Sequence, residues 1–435
     1  MGSESMNILG GRPLNFAVAF ALSIVFLSSP KIGSAQEGAR FRLGSLEIHP
    51  QIDISVKDDN NIFKTQTGEK SDTIFTYVPE LNFLLKIPGS KESNITVGFK
   101  YEIIDFNKFG GEDVENLTAK GGLNLERVDL FDGFLGANWY SRTDGQWLDT
   151  SDASSSETQS TTGARTPRTE GKFDTKLGVG GYNDKGAQDK THFEGSVGRT
   201  LNRYDRAAQD RLENNLTRAG LLAELAISQK TSLRFVYDFK RTLFTNRAAT
   251  AQNDDARDHS LRAGFSFNPS ALISGKATVG GVFRLLDKRD QNDGSDRDTT
   301  GISADVDLTW NARPSKTSVN LTFASGIENA STPGQFGFRK WKLGGRLTQG
   351  LFFISNNLEL TVAPSIENNA FIEDPDNRKD NLVTVSADVK YSAPSKRFPW
   401  FAAFKLTRES KTTNGNKSSI EYRQTSYGFK VGVVY

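Results

Sequence analysis

The chain has 435 residues, with Lys+Arg 54 against Asp+Glu 52, three histidines and no cysteine. That composition excludes a disulfide framework, thiolate catalysis and cysteine-ligated zinc or iron–sulfur sites. A net charge of +2 lacks the basic excess of a nucleic-acid binder, so no nucleic-acid partner is expected.

Near the N-terminus, Leu14 to Leu27 form one apolar run, LNFAVAFALSIVFL. Arg12 precedes it, and Pro30 and then Gly33-Ser34-Ala35 follow. A charged region, an apolar region and a small-residue site in that order make a secretory signal peptide. The run is shorter than the roughly 20 residues of a spanning helix. We therefore expect residues 1–35 to be a signal peptide cleaved after Ala35, 36–45 a short periplasmic segment, and 46–435 a single exported domain.

From residue 46 onward one unit repeats: a segment with apolar residues at every second position, then a turn. Leu46, Ile48, Ile52, Ile54 and Val56 alternate with Glu47, His49, Gln51, Asp53 and Ser55. Ile95, Val97, Phe99, Tyr101 and Ile103 alternate with Asn94, Thr96, Gly98, Lys100 and Glu102. A period of two marks strands with one apolar face. Segments fall near 46–57, 73–87, 94–106, 116–127, 134–143, 170–182, 190–203, 217–227, 232–241, 259–267, 275–286, 300–311, 317–328, 338–348, 357–367, 381–392, 399–408 and 420–435. Connections after even segments are short, as in Ser228–Thr231 and Ala312–Lys316, and those after odd segments are longer and polar, as in Asp144–Thr169 and Thr242–Asp258.

Short turns on one side and long loops on the other belong to a transmembrane barrel with periplasmic turns and extracellular loops. The expected fold is all-β: one antiparallel up-and-down transmembrane barrel of about 18 strands, or 16, in the bacterial outer membrane. A soluble sandwich also alternates, but nothing in it requires the connections to alternate in length. Glycines at polar parity, among them Gly98, Gly178, Gly264 and Gly280, suit the close approach of a closing sheet. Pro50, Pro79 and Pro364 interrupt strand patterns and are expected at bulges or strand starts. Arg199 and Arg203 fall at apolar parity, which is tolerable near the outer interface, where lipopolysaccharide phosphates can pair with them.

The polar face predicts the lumen lining. Its candidate residues are Lys86, Lys100, Glu102, Lys120, Arg142, Arg234, Asp238, Arg262, Arg284, Asp305, Asp307, Lys340, Lys342, Arg346, Lys390 and Arg423. They read as a selectivity-setting wall with slight basic bias, or as ion pairs that fill and stiffen it. Lys340, Lys342 and Arg346 on one strand are the best local candidate for an anion-attracting stripe. Tyr77, Phe106, Trp139, Phe267, Trp310, Phe323, Trp400 and Tyr427 are expected to form interfacial girdles. The acidic stretches Asp287–Asp298 and Asp58–Asn61 lack the EF-hand spacing, so no metal site is expected. His49 and His192 lie at lumen parity without a nucleophile motif, so neither catalysis nor a cofactor is expected.

At the C-terminus, Tyr427, Phe429, Val431, Val433 and Tyr435 alternate to the last residue. A final strand closing on an aromatic residue resembles the signal read by the barrel assembly machinery, the expected folding partner. Outer-membrane lipid and lipopolysaccharide are the other expected partners.

The first two strands also carry a signature: Ile48-His49-Pro50 with Ile52 and Ile54, then Asp58-Asp59-Asn60-Asn61-Ile62-Phe63, then Ser71-Asp72 and Tyr77-Val78-Pro79-Glu80-Leu81. It resembles that of the putative beta-barrel porin family associated with exopolysaccharide and capsule loci, departing at Lys57-Asp58, where an aromatic often precedes the Asp-Asn pair. The resemblance implies a barrel aiding polysaccharide export, with polysaccharide and export components as partners. The rival readings are a general diffusion porin, and an outer-membrane enzyme or adhesin barrel.

Overall fold

The structure, a computed structural model, describes residues 41–88, 93–126, 139–150, 168–180, 191–204, 213–245, 255–267, 272–286, 298–313, 317–329, 337–352, 354–372, 376–393, 399–414 and 421–434. The expected signal peptide, the Ser/Thr-rich stretch 151–162 and Tyr435 lie outside the described residues.

A three-residue strand, β1 (Phe41–Leu43), precedes the barrel strands. These are β2 (Leu46–Asp59), β3 (Asp72–Lys86), β4 (Asn94–Phe106), β5 (Val114–Glu126), β6 (Trp139–Thr150), β7 (Arg168–Val179), β8 (His192–Tyr204), β9 (Asn214–Ser228) and β10 (Thr231–Phe244). Then follow β11 (Ala256–Phe267), β12 (Ile273–Leu286), β13 (Thr299–Arg313), β14 (Thr317–Glu328), β15 (Phe338–Gly350), β16 (Leu358–Phe371), β17 (Lys379–Ser392), β18 (Trp400–Thr413) and β19 (Tyr422–Val434). Each pairs antiparallel with the next, and β19 returns to β2, from Ser426 opposite Asp59 to Val434 opposite Gln51. The result is a closed 18-strand up-and-down barrel with one extra strand. Closure leaves no open edge along its length, the requirement for a sheet in lipid. β1 pairs Phe41 opposite Ile48, covering the end of β2 that β19 does not reach.

Contacts between strands that are not neighbours identify the inner face, because only the concave side brings them together. Ser260 of β11 meets Ser303 of β13 at 2.8 Å, and Lys240 of β10 meets Glu328 of β14 at 3.2 Å. The opposite face carries the apolar set: Leu221, Leu261, Val279 and Ile302 are 61–67% exposed. Such a face, continued around the barrel, far exceeds the apolar patch a water-soluble surface carries, and lipid is the solvent that suits it.

The start of β2 and the end of β19 lie at one rim, with the two-residue turn 229–230 and the facing ends of β13 and β14. The opposite rim carries the loop 60–71 and the far ends of β10 and β12. The expected strict alternation is a tendency only: 127–138 and 180–191 are long at the short-turn rim, and 107–113 is short at the other. Several strands also outrun their expected ends toward the long-loop rim. β6 continues through residues 144–150, β16 through 368–371 and β18 through 409–413. Beyond the lipid, ladder hydrogen bonds hold a strand without an apolar outer face, so the alternation that marks the membrane span fades first. Residues 134–138, expected in a strand, lie outside the described residues.

The prolines sit at missing rungs rather than bulges. Between β3 and β4 the pairing passes from Tyr77–Ile103 to Glu80–Lys100, and between β15 and β16 from Gly344–Ser365 to Leu347–Val362, with the register kept. Pro50 lies in the gap between the partners of β1 and β19. A residue without N–H is tolerated where no rung is made. The inner surface folds closest at β11–β12, where a Cβ on Gly264 or Gly280 would lie 1.9 Å from a carbonyl oxygen of the neighbouring strand.

Candidate functional site

The inner wall is the candidate site. Alternation on each strand turns the polar residues inward, and inward charges on adjacent strands then meet. Lys86 pairs with Glu47 at 3.0 Å, Lys100 with Glu102 at 3.7 Å, and Arg142 with Glu126 at 4.0 Å. Arg234 pairs with Glu224 at 2.5 Å, and Arg284 grips Asp258 through two hydrogen bonds of 2.6 and 2.7 Å. Arg262 bridges Asp238 and Asp305, the latter also held by Lys276 at 2.5 Å. Asp307 accepts a hydrogen bond from Asn320 at 2.7 Å. Across the seam, Lys430 of β19 reaches Asp53 of β2 at 2.7 Å.

The expected basic stripe is partly neutralised. Lys340 and Lys342 share Glu367, at 3.3 and 3.6 Å, while Arg346 is exposed with no ion pair among the described residues. Lys120 is likewise exposed and unpaired among them. Lys390 stands over the Phe401 ring at 4.6 Å. Arg423 corrects the expectation: it shares parity with outward Tyr427 and Phe429, and its neighbour Tyr422 is the buried, inward residue. The lumen-facing cation of β19 is Lys430. Lys276, Glu367 and Lys430 were all reachable by extending the alternation along their strands.

The wall is wet. Side chains of Lys86, Arg142, Lys176 and Lys342 are 49–52% exposed although they point inward. A side-chain-filled interior would bury them, so the described inner face borders open space. Arg284 and Asp258 are both buried where the wall folds over between β10 and β14, with Arg284 also donating to the Glu328 carbonyl at 3.1 Å.

Toward the long-loop rim the first loop folds over the inner face. Ile62 is buried against Ile74 and Phe106, so Phe106 belongs to this small core and not to an outer girdle. Trp310, Trp400 and Tyr427 do face outward and are exposed. Lys64 reaches across to Glu409 of β18 at 2.9 Å. The Asp-Asp-Asn-Asn stretch ties the loop to β19. Asn61 donates to the Arg423 carbonyl at 3.0 Å, Asn60 accepts from the Thr425 amide at 2.7 Å, and Asp59 accepts from Gln424 at 2.8 and 2.9 Å. Asp72 accepts from the amides of Lys108 and Phe109. The signature is thus a clasp over the barrel seam. Among the described residues no group of three or more His, Asp or Glu could hold a metal. Among the described residues, His192 faces Tyr140 at 3.3 Å and His49 faces Glu47 at 3.6 Å.

The chain resembles several solved barrels. It shares 12% identity with OccK2 (OpdF) of Pseudomonas aeruginosa over 91% of this chain and 99% of that one, TM-score 0.46. With the siderophore receptor PirA of Acinetobacter baumannii it shares 8%, over 89% and 80%, TM-score 0.44. With CdiB of the same organism it shares 10% over 90% of this chain, spanning 60% of that one, TM-score 0.42. At such identities the likeness concerns the barrel fold alone. No curated relative matches. A family model described as "Putative beta-barrel porin 2" matches residues 36–433.

Proposed function

This chain belongs to that porin family and is a β-barrel of the bacterial outer membrane, and from this premise we propose that it is a passive channel whose cargo is exopolysaccharide leaving the cell. The observation that carries the reading is the wet inner wall of paired charges. Hydrated solutes need polar surface to replace part of their water, but bound too tightly they do not leave. A wall whose cations are mostly held by its own carboxylates offers hydrogen bonds without strong fixed charge. That suits a long hydroxyl-rich polymer, which must slide past many sites in succession. The signature in the first two strands adds the link to exopolysaccharide. In this reading the last strand, from Tyr427 through Val433, is the element offered to the assembly machinery, and lipid and lipopolysaccharide bathe the outer face.

The same wall would serve a general diffusion porin, and one pair of measurements separates the two. Cells lacking the chain are assayed for surface polysaccharide, and the purified barrel is assayed for conductance in planar bilayers. Export predicts that polysaccharide falls and returns on complementation. Unchanged polysaccharide beside an open conductance would leave the diffusion porin as the function.

A further inference from the structure

The outer face of β8–β11 carries charge where a lipid-facing wall is expected to be apolar. Register sets Arg199 of β8 opposite Thr217 of β9, Thr217 opposite Arg241 of β10, and Arg241 opposite Arg257 of β11. These residues form a single row across four neighbouring strands. The three arginines are exposed, and each shares its parity with outward residues such as Val197, Phe235 and Leu261. Arg203 stands two outward positions beyond Arg199 toward the long-loop rim. Directly opposed residues on adjacent strands are about 5 Å apart, so Arg241 and Arg257 bring two guanidiniums to one level of the outer face. No outward position of the described strands β8–β11 holds a carboxylate.

The level of the row is fixed by what lies beneath it. Phe239 and His259 face outward one rung below and Tyr237 one rung further, with Tyr237 hydrogen-bonded to His259 at 2.9 Å and the Phe239 ring 5.1 Å from His259. Aromatic residues with polar tips mark the membrane interface. Leu261 stands level with Tyr237, Leu233, Phe235 and Phe265 come below, and above the row little outward apolar surface remains beyond Leu201 and Leu243. With short turns periplasmic, the arginines stand at the headgroups of the outer leaflet.

We propose that this row is a binding site for the phosphate groups of lipopolysaccharide, a phosphorylated glycolipid of that leaflet. Each guanidinium presents a fork of N–H donors that fits phosphate oxygens bidentately. The spacing across four strands lets several arginines engage a headgroup carrying more than one phosphate.

The test uses the purified full-length barrel in detergent, with bound lipid counted by native mass spectrometry. Lipopolysaccharide, enzymatically dephosphorylated lipopolysaccharide and inorganic phosphate are the three probes, against wild type and the R199Q/R241Q/R257Q variant. Intact lipid should bind wild type at least about tenfold more tightly than the variant, and than wild type binds dephosphorylated lipid. Millimolar inorganic phosphate should not displace it. Equal binding of dephosphorylated lipid to wild type would overturn the proposal even if the variant failed to fold. So would unchanged affinity in a variant that keeps its heat-modifiable barrel, and displacement by inorganic phosphate would make the site one for the free anion instead.

Discussion

Glu367 sets the charge of the basic stripe on β15, because Lys340 and Lys342 both close on its carboxylate. Glu367→Gln removes that charge and leaves two lysines facing the lumen beside Arg346. Reversal potentials in a salt gradient should shift toward chloride, with about a twofold rise in the anion-to-cation permeability ratio. An unchanged potential would mean that the stripe lies off the ion path. A second residue-scale prediction concerns Gly280, where an added Cβ would lie 1.9 Å from the Leu261 carbonyl oxygen. Gly280→Ala should cost about 2–3 kcal/mol, read as a lower heat-modification midpoint. Gly281→Ala, whose nearest neighbour would be 3.7 Å away, is the matched control and should be neutral. Parity slips by one residue at Arg423, whose neighbour Tyr422 is the buried, inward residue of β19. Partner choice was not legible at all. That Lys340 and Lys342 share Glu367 depends on the register between β15 and β16, which a single sequence does not state.

Strands were legible because lipid imposes one rule on every outward position, so apolar residues recur at period two wherever the barrel spans it. The ends at the long-loop rim were not, because Glu409–Thr413 and Asn368–Phe371 continue their ladders outside the lipid and escape the rule. The first loop was opaque for a different reason. Asp58–Asn61 looked like a solvated acidic cluster, and only the closure of β19 onto β2 gives those side chains their partners. Asn61 holds both the Thr65 carbonyl at 2.7 Å and the Arg423 carbonyl at 3.0 Å while wholly buried. Asn61→Ala strands these groups and should cost about 2–3 kcal/mol in urea unfolding from micelles. It should also free the loop that reaches Glu409 through Lys64, so bilayer recordings should show more frequent conductance fluctuations. On the outer face the matching element-scale change is Phe404→Arg, on a strand whose Phe404 is 49% exposed to lipid. A cation there should lower folding stability in lipid vesicles by about 2–4 kcal/mol if it sits near the midplane.

For the molecule as a whole, the near-equality of 54 basic and 52 acidic residues has a structural counterpart. An exported chain with little net charge first suggests several soluble domains, yet the barrel distributes the same residues as pairs along a wet wall. Arg234 with Glu224, Arg262 and Lys276 with Asp238 and Asp305, and Lys430 with Asp53 each cancel locally. Beyond the Debye length, about 10 Å at 0.1 M salt, such pairs leave little field in the lumen. Lys120, Arg346 and Lys405 are exposed inward cations with no ion pair among the described residues, and Asp144, Asp388 and Glu359, likewise without one, offset them. The barrel should therefore be nearly non-selective, with potassium and chloride permeabilities within about twofold of each other at 0.1 M salt. Because screening has little net field to remove, that ratio should barely move when both compartments are raised to about 1 M. Reversal potentials at the two salt levels measure it directly. A strong preference at low salt that vanishes at high salt would mean an uncompensated charge governs the path, and the balanced wall would then not be what a permeating solute meets.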